Sequence, residues 1–92
     1  MIGQKIRELR EKENILLRQL AAKLDMDTAL LSKMERGERY FKKIEIENIS
    51  KELNYPIEEL TTIWLADKIL KELENEPLKK EALKYALKVS KE

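Results

Sequence analysis

The sequence predicts an all-α fold, and three observations carry that expectation. Apolar residues recur at spacings of three and four along most of the chain, and no stretch alternates with a period of two. Aromatic residues are only 5% of the 92 residues and charged residues are 40%, which suits short amphipathic helices better than a sandwich or barrel. Two glycines and two prolines are too few for the tight turns of an all-β chain. The length fits one compact domain with an appendage.

The elements follow in order. Ile2, Ile6 and Leu9 share a face and predict a first helix over residues 2–13. Asn14 and the apolar pair Ile15-Leu16 make the connection to a second, short helix with Leu17, Leu20, Ala21 and Leu24 inward. Asp25-Met26-Asp27 breaks the pattern, and Asp27 suits the N-cap of a third helix running from Thr28 to about Arg36. Gly37, with no Cβ, allows the left-handed conformation that ends it. Glu38 to Lys43 reads as a basic loop. A fourth helix is predicted over roughly 45–53 with Ile46, Ile49 and Leu53 inward, closed by Asn54. Pro56 fits the first turn of a fifth helix that runs to about Glu74. Pro77 interrupts, and a sixth helix spans about 78–90.

Composition narrows the function. The chain has no cysteine and no histidine. Disulfide scaffolds, thiolate or imidazole metal sites, Ser-His and Cys-His nucleophile pairs and imidazole acid–base chemistry are therefore excluded. No apolar run approaches the length of a membrane span, and the opening Met1-Ile2-Gly3-Gln4-Lys5-Ile6-Arg7-Glu8 lacks a signal-peptide core. The neighbouring carboxylates Glu58-Glu59 sit early in a helix, where the helix dipole accounts for them. The expectation is a soluble, cytoplasmic binding protein, not an enzyme, with no cofactor, no metal and no membrane partner.

The net charge of +1 hides an asymmetry. Residues 1–43 hold 11 Lys and Arg against 7 Asp and Glu, whereas residues 44–92 hold 8 against 11. All five arginines lie within the first 39 residues. Arginine suits bidentate contact with phosphate and guanine edges, so one end of the molecule is expected to face a polyanion. A merely solvated helical surface explains the charge equally well.

Two short helices joined by a three-residue turn, the second ending at a glycine, form a helix-turn-helix pattern. At about 100° per residue, Leu31, Met34 and Leu30 fall within an arc of about 100°. Ser32, Arg36, Ala29 and Lys33 face the far side, and Thr28 lies near the border in the first turn. That outward face is small and polar, with two cations, as entry into a major groove requires. An ordinary solvated face remains the alternative.

These residues resemble the Cro/cI-type (XRE) family of helix-turn-helix regulators. Leu20-Ala21-Ala22-Lys23-Leu24, a gap of six, then Leu31-Ser32-Lys33-Met34-Glu35-Arg36-Gly37 is similar to the family pattern L-A-x-x-L and I-S-x-I-E-x-G. Ile46, Ile49, Leu53, Ile57 and Leu60 fit its fourth and fifth helices. The resemblance covers residues 2–60. It implies a five-helix, lambda-repressor-like DNA-binding domain over residues 1–60, with an extension containing the additional C-terminal helix over residues 61–92.

The resemblance also implies roles. Thr28, Ala29, Ser32 and Lys33 would read base edges in double-stranded DNA, with Lys33 the candidate for guanine O6/N7. Arg36, Arg39, Tyr40, Lys42 and Lys43 would touch phosphates, which fixes register without reading sequence. Tyr40 is open between that role and packing, whereas Phe41 is expected in the core. Arg10 and Glu35 match positions that form a partly buried ion pair, expected to brace the scaffold and to orient Arg10 toward phosphate. The chain departs from the family where Leu16 and Leu17 replace a Ser/Thr cap and a phosphate-binding Gln, so that phosphate contact falls to Arg18 or to a free backbone N–H at the helix start. Asp25 replaces the turn glycine, and Asp27 puts a negative cap at the groove-facing end.

Beyond Leu60 the chain is more apolar than two helices docked on a small domain need. Ile63, Trp64, Ile69, Leu70, Leu73, Leu83 and Leu87 are expected to form a dimer interface, since half-site recognition calls for a two-fold pair. The segment Thr61–Leu70 also resembles controllers found with bacterial restriction–modification systems. The function expected is a bacterial or phage homodimeric regulator, repressor or controller, on a palindromic operator. The alternative is an antitoxin-type interaction module whose C-terminal helices bind a partner protein, with DNA binding secondary.

Overall fold

Each of the first four helices closes on a residue that the backbone turns left-handed, two positions beyond the helix end. The computed structural model describes residues 1–91, so Glu92, the last residue of the expected extension, lies outside it. Six helices and no strand occur among the described residues: α1 (Ile2–Lys12), α2 (Leu17–Lys23), α3 (Thr28–Glu35), α4 (Lys43–Glu52), α5 (Ile57–Glu72) and α6 (Lys79–Ser90). The fold is all-α.

Asn14, Asp25, Gly37 and Asn54 follow the ends of α1 to α4, all with positive φ. At each, the next amide donates back five residues: Ile15 to Arg10 O, Met26 to Ala21 O, Glu38 to Lys33 O and Tyr55 to Ser50 O. This double closure satisfies the last carbonyls of each helix and turns the chain sharply. Asn and Asp tolerate that conformation at a modest cost, and so Asp25 serves where a glycine is usual. At the starts, Asp27 Oδ1 accepts from the Ala29 amide at 2.9 Å, as its N-cap position predicts. Leu16 offers no capping oxygen, and Gln19 Oε1 takes the Leu16 amide instead at 2.8 Å. Glu45 Oε1 catches the Lys42 amide at 2.7 Å, which begins α4 at Lys43, two residues before the apolar pattern suggests.

α1 packs on α3 and α5, α2 on α3, and α4 on α5. Ile6, Leu20, Leu31, Ile46, Ile49 and Leu60 bring every helix from α1 to α5 into one fully buried core. Burial contributes about 1.5–3 kcal/mol for each such side chain. α5 continues through residue 60 with Leu60 and Trp64 both buried, so the expected domain boundary falls inside a helix. No residue of α6 is buried. The radius of gyration, 14.8 Å, exceeds the roughly 12 Å of a compact domain this long, and the long axis reaches 42 Å. α6 is an arm.

Two contacts fix α1 against α3. Arg10 Nε and Nη2 donate to the Glu35 carboxylate at 2.9 and 3.0 Å, and Nη1 donates to Ile15 O at 2.9 Å. Both side chains are buried, and the hydrogen bond to Glu35 raises the Arg10 guanidinium pKa further. Arg10 therefore joins α1, α3 and the α1–α2 connection, with three of its five N–H donors taken inside the fold. Gly3 lies against the end of α3, where a Cβ would overlap the Met34 and Glu35 carbonyls. The backbone approach needs a residue without a side chain.

Removing one partner of the buried pair strands the other charge. Arg10→Met or Glu35→Leu alone should cost about 3–5 kcal/mol in urea unfolding, and the double substitution should return to within about 1 kcal/mol of the parent. Additive losses in the double variant would contradict this account of the pair.

Candidate nucleic-acid interface

α2, the turn at Asp25 and α3 place one short helix across another. α3 buries Leu31, Met34 and Glu35 against the core. Its opposite side leaves Thr28, Ala29 and Lys33 exposed, with Ser32 half-buried at the edge. The four residues expected to read bases thus lie along one accessible flank. Thr28, Ala29 and Lys33 stay open, and Arg36 reaches over Ser32.

Cations are exposed on α2 and on the segment that leads from α3 into α4. Arg18 is exposed on α2, Arg39 and Tyr40 are exposed in the segment after Gly37, and Lys42 and Lys43 are exposed at the start of α4. Among the described residues, Arg18, Lys33, Arg39, Lys42 and Lys43 form no ion pair. Arg36 differs. Its Nη1 donates to Ser32 Oγ at 2.9 Å and its Nε to Glu38 Oε2 at 2.9 Å. The Arg36 hydrogen bond holds the Glu38 carboxyl below its usual pKa, and Glu38 in turn raises that of Arg36. Both groups are fully solvated, so the pair is weak enough for a phosphate to displace Glu38.

Phe41 is buried, as expected, while Tyr40 remains 72% exposed with its ring 4.9 Å from Lys71 Nζ. Of the residues expected at a partner contact, Ile69, Leu73 and Leu83 line an apolar groove of about 430 Å³ between α5 and α6. Leu70 and Leu87 lie exposed on the same arm. Trp64 is placed elsewhere. It is only 8% exposed, and its Nε1 donates to Phe41 O at 3.0 Å inside the subunit. Ile63 is half-buried against the same core. Sequence reasoning missed Lys71, whose Nζ donates to Gly37 O at 3.3 Å, and the buried Asp67 4.0 Å from it. The spacing of Trp64, Asp67 and Lys71 along one helical face was the available signal.

A short helix with one face buried in the core and the other exposed, held by a second helix across a tight turn, is the arrangement of a helix-turn-helix DNA-binding protein. A helix-turn-helix family profile matches residues 6–60, and the chain belongs to that XRE-type helix-turn-helix family. It is a DNA-binding regulator of that type. A search of curated proteins gives no match. A solved chain from a SinR protein/SinI protein complex is similar over 99% of this chain and 95% of its own, at 24% identity and a TM-score of 0.59, which supports the fold. No helix among the described residues is long and apolar enough to cross a membrane.

Glu38 competes with phosphate for Arg36. Glu38→Gln should tighten binding to any duplex by roughly two- to tenfold at low salt and steepen the salt dependence. Fluorescence anisotropy across a salt series would measure both, and an unchanged slope would count against Arg36 as a phosphate contact.

Proposed function

We propose that the protein is a homodimeric regulator that reads a palindromic operator in double-stranded DNA. Thr28, Ala29, Ser32 and Lys33 meet base edges in the major groove. Arg18, Arg36, Arg39, Tyr40, Lys42 and Lys43 hold the flanking phosphates and set the register of the helix. The observation that supports this reading is the exposed flank of α3, on which Thr28, Ala29 and Lys33 are open and Lys33 forms no ion pair among the described residues.

The arm supports the two-fold half of the reading. One recognition helix covers a few base pairs, and two copies on one face of the duplex supply the rest. Residues 61–91 offer Ile69, Leu73 and Leu83 along the groove between α5 and α6, and Leu70 and Leu87 exposed on the same two helices. A second copy laid on it would bury side chains that soluble chains do not leave bare. A second reading rests on the same surface: an antitoxin-type module whose arm takes a different protein, with DNA binding secondary. The similar solved chain comes from a complex of two differently named proteins. Light scattering separates the readings, because a self-dimer speaks for the first and a monomer that acquires a stoichiometric partner for the second.

In vitro selection from random duplex DNA tests the operator directly. An inverted repeat with half-sites about one helical turn apart is the expected product. Lys33→Ala should cost about 1–3 kcal/mol and relax preference at one position per half-site. Arg39→Ala should weaken all sequences alike and lower the salt slope by about one. Leu70→Glu with Leu87→Glu should give a monomer by sedimentation, with the helical circular dichroism of residues 1–60 retained.

A further inference from the structure

The segment from Gly37 to Lys42 joins α3 to α4 and carries Arg39 and Tyr40, yet it does little to hold itself. Among the described residues, the amides of Arg39, Tyr40 and Phe41 donate to no other backbone group. Its two ends are instead tied to α5. Lys71 Nζ donates to Gly37 O at 3.3 Å, at the cap of the recognition helix. Trp64 Nε1 donates to Phe41 O at 3.0 Å in a buried contact. Between these anchors, the Tyr40 ring lies 4.9 Å from Lys71 Nζ, and the ammonium of Lys71 is steadied by the buried Asp67 carboxylate at 4.0 Å. Lys68 covers the outer face of the Trp64 ring at 4.6 Å.

We propose that Lys71 and Trp64 are positioning residues for DNA binding: from α5 they fix the two ends of the 37–41 segment, so that Arg39 and Tyr40 are presented to phosphate already ordered. The proposal rests on the functional reading above and adds to it residues that touch no DNA. The physical basis is entropic. A segment whose central amides, from Arg39 to Phe41, make no backbone bond must otherwise be ordered on binding, at an entropic cost for each residue fixed. Anchoring it beforehand removes part of that cost from association. The helix that does the anchoring has a second side. At about 100° per residue, Trp64, Asp67, Lys68 and Lys71 share one face of α5, and Leu65, Ile69, Leu70 and Leu73 share the opposite one. The face offered to a partner and the face gripping the phosphate loop are therefore two sides of one helix.

The test uses the full chain with Lys71→Met, Lys71→Arg and Trp64→Phe, and Lys68→Met as a control on the same face. Backbone order of residues 38–41 is read without DNA by amide nitrogen relaxation, beside residues of α4. Affinity for a random-sequence duplex is read by anisotropy over a salt series. Lys71→Met and Trp64→Phe should each lower the order parameters of the segment toward about 0.6 while α4 stays near about 0.85. Both should weaken duplex binding severalfold, and Lys71→Arg should restore both readouts. Lys68→Met should leave the order of the segment unchanged.

Unchanged order of the segment in Lys71→Met and Trp64→Phe would overturn the anchoring. Lower order with unchanged affinity would overturn its role in DNA binding. Should the parent chain bind no duplex at all, the functional reading fails and takes the DNA half of the proposal with it. The relaxation result would still decide whether α5 orders the segment.

Discussion

The buried ion pair between Arg10 and Glu35 is the constraint on which the DNA-facing geometry depends. α3 has eight residues, too few to be stable as a helix by itself. Leu31 and Met34 bury one stripe of it, but apolar packing alone leaves rotation and sliding along the helix axis weakly specified. The planar guanidinium of Arg10 bonds both carboxylate oxygens of Glu35 and, with its remaining arm, the carbonyl of Ile15. One side chain therefore joins α1, α3 and the α1–α2 connection. A bidentate pair of this kind is directional where hydrophobic contact is not. Its value lies in orientation, since a buried ion pair adds little net stability over a well-packed apolar replacement.

α5 stands to the rest of the molecule as α3 stands to DNA. It closes the core with Leu60 and Trp64, reaches the loop after α3 with Trp64 and Lys71, and leads into the arm. Sixteen residues make it the longest helix, and its two long faces are unlike. The inner one is built from an indole, a carboxylate and two ammonium groups, each in contact with a named partner. The outer one is aliphatic. A helix of this kind can join two surfaces without any change of shape, because stiffness along its axis is enough.

Much of this architecture was legible in the residues. Asn14, Asp25, Gly37 and Asn54 are local signals, and each ends a helix because the left-handed conformation is a property of the residue itself. The inward stripe of α3 and the Arg10–Glu35 pair were also legible, since a helical wheel places them and burial forces opposite charges together. Trp64 was misplaced for a reason specific to α5. Apolar residues occupy both its faces, so periodicity does not say which face is the core, and Asp67 and Lys71 interrupt the stripe that is actually buried. Gly3 gave no local sign at all. Its requirement comes from a helix end 31 residues away, and such close approaches exist only once the chain has folded.

That glycine has a geometric consequence. Because α1 rests on the terminal carbonyls of α3 with no methyl group between them, the two backbones touch at the root of the recognition helix. In the docking proposed above, the depth to which α3 enters a double helix is then set from behind, by how closely α1 can seat. A single carbon at position 3 would act as a shim, tilting the probe and altering its reach while leaving every side chain on its outer surface untouched.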